Sequence, residues 1–248
     1  MASGSDGKRG VEGDAALVIG AGGAIAQAVI QALLDEPEPK DVLTVSRHPD
    51  HPQATTHICC DNSPADIERI ISELQPWKGR IGRVFVCQGI LHSDTVQPEK
   101  KLEDIGEQMM LEVLNINTVI PMLWVSRLLP LIKAPHDCTV TVFSARVGSI
   151  TDNHKGGWYS YRASKAALNM LLRTAAIEYG RRARNVKLVA FHPGTVDTPL
   201  SQPFQRNVPE NKLFTPQYVA QRLLEHLATL PPDGTLSYID WDGKVIDW

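Results

Sequence analysis

The apolar residues of this chain fall into short unbroken runs that alternate with longer segments of helical period. The run at 15–19 (AALVI) stops at Gly20, and similar runs lie at 41–45, 57–60, 83–87, 139–143, 186–191 and 236–241. Each predicts a strand, and runs apolar on both faces predict a sheet covered on both sides. Between them, residues 25–34, 66–74, 102–133, 161–179 and 216–230 carry the spacing of amphipathic or buried helices. Thr215-Pro216 predicts a helix start, with a capping hydroxyl followed by proline in the first turn. Pro121 predicts a kink or a break in the long apolar helix. The segment 199–214 is polar and proline-punctuated and predicts a long functional loop.

Regular β–α alternation without an internal repeat predicts an α/β fold. It is a single doubly wound domain over 15–248, built on a seven-stranded parallel sheet with helices on both faces. The length of 248 residues alone would admit one large domain or two small ones, and the alternation decides for one. Residues 1–14 hold four glycines and almost nothing apolar, and predict a flexible tail.

Composition narrows the function classes. Hydrophobic residues make up 43% and charged residues 21%, which excludes disordered, collagen-like and coiled-coil chains. A net charge of −3 gives no bulk basicity to recruit nucleic acid or an anionic membrane. The apolar stretch 113–132 is interrupted by Asn115, Asn117, Pro121, Arg127 and Pro130, so a core helix is expected rather than a membrane span. Cys59, Cys60, Cys87 and Cys138 form no CxxC pair, which points to a reducing, cytoplasmic setting. His48, His51, His57 and Cys59 lack the spacing of a known ligand set, so no metal is expected.

Two motifs carry chemistry. The turn GAGGAIA, Gly20 to Ala26, joins the first strand to the first helix, where backbone amides can meet a pyrophosphate. Tyr161 and Lys165 are four apart on one helix face, a pair common by chance but here preceded by Ser144 at the end of the fifth strand. With Asp61, Asn117, the PGTVDT segment at 193–198 and the terminal DGKVIDW, these residues fall in an order that resembles the short-chain dehydrogenases/reductases, single-domain Rossmann enzymes. The stretch VGSITDNHKGGWYSYRASKAALN resembles the subgroup of sniffer-type carbonyl reductases and C-factor-like proteins.

The resemblance implies reduction of an aldehyde, ketone or quinone by a nicotinamide dinucleotide. It makes Tyr161 the general acid, Lys165 the cation that lowers the Tyr161 pKa and holds the ribose, and Asn117 the anchor of a relay water. It implies cofactor contacts from Gly20, Gly22, Gly23, Ala24 and Ile25 in the turn, and from Asp61, Gly89, Pro193, Gly194, Val196 and Thr198 elsewhere. Ser46 and Arg47, where the family reads cofactor choice, suit a 2′-phosphate, so NADPH is expected, with NADH as the alternative. Leu91, His92, Trp158, Tyr159 and the 199–214 loop are expected to line the substrate pocket.

Three departures stand out. Ala24 and Ala26 replace the two later glycines of the turn, the residues after the fourth strand keep only Gly89, and Ala145 stands where the family places its carbonyl-polarising serine. Ser144 or Ser149 would have to supply that hydroxyl. These departures motivate a second reading, a dinucleotide-binding signalling or regulatory protein with little turnover. A hydrolase built on His192, Ser144 and Asp197 lacks the nucleophile elbow and the chain order. Family members pair as dimers or tetramers through the long helix and the Tyr161 helix, although monomers occur.

Overall fold

A computed structural model of the chain describes residues 13–38, 41–51 and 53–248. The tail expected over 1–14 lies mostly outside them. Gly13 and Asp14 are already packed, because Arg80 grips the Asp14 carboxylate at 2.8 Å and Asp41 donates its amide to the Asp14 carbonyl.

Seven strands form one parallel sheet: β1 (Ala15–Ile19), β2 (Asp41–Ser46), β3 (Thr56–Cys59), β4 (Ile81–Val86), β5 (Cys138–Phe143), β6 (Val186–His192) and β9 (Leu236–Asp240). Their order is β3-β2-β1-β4-β5-β6-β9. A separate two-stranded ribbon pairs β7 (Thr195–Val196) with β8 (Leu213–Phe214) inside the segment expected as loop. The helices are α1 (Ala24–Leu34), α2 (Pro64–Glu73), α3 (Glu107–Leu114), α4 (Ile120–Ile132), α5 (Tyr159–Arg182) and α6 (Pro216–Leu227).

Strand alternation sorts the core into two layers. Leu17, Ile19, Val84, Val86, Val140 and Val142 face α2, α4 and α5. Ala16, Val18, Phe85, Val189 and Phe191 face α1 and α6. The sheet is therefore buried on both sides, as the apolar runs predict. After β3 the chain crosses to β4 on the other side of β1, and the carboxyl ends of β1 and β4 open a crevice at this switch point.

The long apolar segment resolves differently from the expected kink. Residues 107–132 run as one helix, with a π-helical turn at Asn115–Val119 between α3 and α4. A proline ring clashes with the carbonyl four residues earlier, here that of Asn117, and the wider π turn relieves the clash without a break. This helix is long and apolar enough to cross a membrane by length and composition, yet Trp124, Val125, Leu128, Leu131 and Ile132 are buried in the core against the sheet.

Candidate active site

The Gly-rich turn sits at the crevice. Gly20 holds φ +82°, a left-handed conformation that costs glycine little, and its amide donates to the Val45 carbonyl. The N-cap of α1, Gly23, offers no side-chain cap, and the first turn holds no acidic residue. The first amides of α1, from Ala24 onward, thus have no internal acceptor and face a site suited to an anion. Ala26 turns its methyl into the core, where it is buried, while Ala24 is half-exposed. Of the two added methyl groups, only Ala24's remains near the surface of the turn.

Beside the turn lies a cavity of about 270 Å³ lined by Gly22, Gln27, Ser46, His48, Asp50, His51 and Gln53. Ser46 at the end of β2 is part of this lining. Arg47 is exposed next to it, its carbonyl accepting the Cys59 thiol at 3.6 Å. Asp61 is exposed and spends one carboxylate oxygen on the Ser63 amide at 2.7 Å.

Tyr161 and Lys165 lie one turn apart on α5, which begins abnormally. Gly156, Gly157 and Trp158 all hold positive φ, and for Trp158 that is a strained conformation. Buried Glu99 holds the entry: its carbonyl accepts the Trp158 amide at 2.6 Å, and its carboxylate caps both the amide and the hydroxyl of Ser160. The rigid entry places Tyr161 against Trp158, ring centroids 6.1 Å apart.

Lys165 is 3% exposed and donates from Nζ to the Phe143 carbonyl at 2.9 Å, with Nζ 5.9 Å from the Tyr161 ring centre. Burial lowers its pKa to about 8. Burial, then the nearby Tyr238, raises the Tyr161 phenol to about 12. The expected lowering of Tyr161 by Lys165 is not what this structure has: burial wins, and the phenol is firmly protonated at neutral pH.

Asn117 is fully buried in the π turn. Its Oδ1 accepts the Ile90 amide at 2.7 Å, and its Nδ2 donates to the Ile90 carbonyl at 2.9 Å and to Ser164 Oγ at 3.1 Å. Ser164 in turn donates to the Tyr161 carbonyl. The side chain is thus spent on fixing the strand-four loop to α5. Gly89 lies within this frame, and a Cβ there would come 3.4 Å from Asn117 Oδ1 and 3.5 Å from Lys165 Nζ.

Ser144 is directed elsewhere. Its hydroxyl donates to Asn169 Oδ1 at 2.6 Å, two turns along α5 from Tyr161, and it is 4% exposed. Ser149 bonds Thr151 and the Asp152 amide in its own turn. Neither serine hydroxyl hydrogen-bonds Tyr161. Two groups that the sequence did not single out stand here instead: Asn169, and Tyr238, whose hydroxyl donates to the Ala145 carbonyl at 2.7 Å. The pattern held no signal for either beyond the apolar alternation of the last strand.

Pro193, Gly194, Val196 and Thr198 follow β6. Gly194 has φ +75°, and a Cβ there would strike Phe214 and Trp241 within 3 Å. The segment beyond folds back over the site. Phe204 packs at 5.2 Å from Trp158 and 5.7 Å from His92, whose Nε2 meets the Pro199 carbonyl at 3.0 Å. Leu91 is buried in the same loop as His92, and Tyr159 is half-buried at the start of α5. Asp197, weighed for a hydrolase, bonds Gln205, while His192 borders a separate cleft with Arg146 and Asp240. Among the described residues no group of three or more His, Cys, Asp or Glu could hold a metal ion.

A family model described as short chain dehydrogenase matches residues 14–209. The chain belongs to the short-chain dehydrogenase family. Its reaction class is accordingly NAD(P)-dependent oxidoreduction. Among curated members it is 27% identical over 237 residues to 1-hydroxy-2-glutathionyl-2-methyl-3-butene dehydrogenase of Rhodococcus sp. (strain AD45), covering 94% of this chain and 98% of that one. It is 30% identical over 147 residues to the C-signal of Myxococcus xanthus, covering 59% and 83%. The fold matches NADPH-bound carbonyl reductase from chicken fatty liver with a TM-score of 0.81 at 24% identity, over 96% of this chain and all of that one. The carbonyl reductase Sniffer of D. melanogaster gives 0.80 at 20% identity, with the same coverage. These neighbours agree with the resemblance to the sniffer and C-factor-like subgroup.

Proposed function

We propose that this short-chain dehydrogenase reduces a carbonyl group to an alcohol with NADPH, and that Tyr161 delivers the proton. The carrying observation is half-buried Tyr161 one helical turn from buried Lys165, at the switch-point crevice that also holds the Gly-rich turn and the uncapped N-terminus of α1. A bound dinucleotide supplies the hydride; the protein's part is to hold, orient and protonate. The turn from Gly20 to Ile25 would hold the pyrophosphate, and Gly89, Gly194 and Thr198 would border the nicotinamide. Lys165, charged below about pH 8, would hold the ribose hydroxyls.

With the phenol raised to about 12, Tyr161 carries at neutral pH the proton that reduction requires. The relay water is proposed on the Asn117 carbonyl rather than its side chain, since Pro121 has no amide hydrogen to offer that carbonyl. Trp158, Phe204 and His92 would exclude water from the carbonyl. The preference for NADPH rests on Ser46 at the cavity and on the NADPH bound to the chicken enzyme. Cys59, Cys60 and Cys87 are unbridged thiols, which supports a reducing, cytoplasmic location.

Purified protein with NADPH and a panel of aldehydes, ketones and quinones is expected to turn over, and Tyr161→Phe to lose about 10²–10⁴-fold in kcat. Equal turnover by Tyr161→Phe would overturn the assignment. Ala145, with Ser144 turned toward Asn169, favours one alternative, a dinucleotide-binding regulator. It predicts tight NADPH binding with no reduction across the whole panel.

A further inference from the structure

A second cleft, of about 390 Å³, opens at the carboxyl ends of β6 and β9. Its lining continues directly from residues that border the proposed reaction. Arg146 follows Ala145, and Gly194, assigned above to the edge of the nicotinamide, lies in the cleft wall with Thr195. Neighbouring Cα atoms are about 3.8 Å apart, so a substrate of a few carbons with its carbonyl at Ala145 reaches the cleft with its far end. One wall is aromatic. Phe214 and Trp241 pack with ring centroids 4.3 Å apart, and a Cβ on Gly194 would lie 2.8 Å from the first ring and 2.9 Å from the second, so only glycine lets the pair close against the turn after β6.

The charges around the cleft do not cancel. Three cations, Arg146, Lys212 and Lys244, face two carboxylates, Asp240 and Asp242. Asp240 is saturated: one oxygen accepts from Arg146 at 2.7 Å, and the other accepts the amides of Asp242 and Lys244 at 3.0 Å each. Asp242 is paired with Lys244 at 2.9 Å. Lys212 is the surplus. Among the described residues it has no carboxylate partner, and its ammonium stands 5.6 Å from the centre of the Trp241 ring. Its backbone is fixed at the rim, since its amide donates to the Pro209 carbonyl at 2.8 Å and the next residue, Leu213, pairs with Thr195 in the ribbon of β7 and β8.

His192 adds a polar atom without charge. Its Nδ1 is buried with no hydrogen-bond partner. Burial, then the Arg146 guanidinium, lowers its pKa to about 4, so the ring is neutral at physiological pH. With its proton on Nδ1 the ring donates to an anionic oxygen. A buried donor without an acceptor is costly, and a ligand oxygen in the cleft would satisfy it.

We propose that this cleft recognises a carboxylate at the far end of the carbonyl substrate, with Lys212 as the residue that sets a preference for acidic over neutral carbonyl compounds. The inference rests on the carbonyl-reductase reading above and names its substrate class. One surplus cation suits a monoanion. A phosphate dianion would meet Asp240 and Asp242 in the same wall with only Lys212 to offset its second charge. The Phe214–Trp241 wall gives the apolar chain or ring between the two functional groups a surface to lie against.

The test is steady-state reduction, with NADPH, of a series of aldehydes bearing a carboxylate about two to six carbons from the carbonyl. Each is compared with its carboxamide, which keeps the shape and drops the charge. In the wild type the acid is expected to exceed the amide in kcat/KM by roughly fivefold or more at one or more lengths, through a lower KM, as one carboxylate–ammonium contact supplies. Lys212→Met should bring that ratio to about one. Lys212→Glu should invert it, which misfolding cannot do because it lowers both rates together. No acid preference at any length, or a preference that survives Lys212→Met, overturns the proposal while carbonyl reduction itself stands. Failure to reduce any carbonyl compound, charged or neutral, overturns the two together.

Discussion

At the scale of single residues, the chemistry rests on two opposed effects of burial. The same desolvation that raises Tyr161 to about 12 lowers Lys165 to about 8. Lys165 is therefore the group that titrates within reach of assay. Its ammonium is present below about pH 8 and lost as the pH rises through that value. The kcat/KM for carbonyl reduction should thus be level near neutrality and decline above about pH 8; a profile flat to about pH 10 would show that the Lys165 charge is not used. Ala145 supplies the second residue-scale test. Restoring a hydroxyl with Ala145→Ser should raise kcat by roughly tenfold, a modest share of what an oxyanion donor contributes, and an unchanged kcat would mean that the carbonyl oxygen does not approach this position. The Tyr161–Lys165 pair was legible in the sequence because four residues are one helical turn. The fate of Ser144 was not, since a strand pattern gives a residue's face but not its partner. Glu99 was hidden too: its partner Ser160 lies 61 residues away.

At the scale of elements, the π turn at Asn115–Val119 links the long helix to the site. Pro121 forces the local widening, and the widened turn delivers Asn117 to both backbone groups of Ile90. Asn117→Ala should leave those groups unpartnered at a cost of about 1–3 kcal/mol, readable as a lower denaturant midpoint, together with reduced kcat. A variant with full stability would contradict the brace. The proline was readable as a perturbation, yet a kink, a break and a π turn all relieve the same clash, and only packing against α5 selects among them. The ribbon of β7 and β8 was likewise unreadable, because two-residue strands carry no period. The seven main strands were readable because burial on both faces gives each an unbroken apolar run, and their ends differ from expectation by a residue or two.

At the scale of the whole molecule, the doubly wound sheet brings four distant stretches to one crevice: the Gly-rich turn, the loop carrying Gly89, the start of α5, and the fold-back segment after β6. Sequence order alone places each at the carboxyl end of a strand or the start of a helix, which is why the dinucleotide reading precedes any geometry. What order cannot supply is the closure of the fold-back segment, where Phe204 meets Trp158 and His92 through ring contacts between remote positions. The central claim is that this assembly moves a hydride onto a carbonyl carbon while Tyr161 protonates the oxygen. Its most direct test is product analysis after incubation with a reducible carbonyl and NADPH deuterated at the hydride-donating carbon. The expected product is an alcohol carrying deuterium on its carbinol carbon, formed by the wild type and all but lost with Tyr161→Phe. NADPH binding without any labelled alcohol across the carbonyl panel, or equal labelling by Tyr161→Phe, would contradict it.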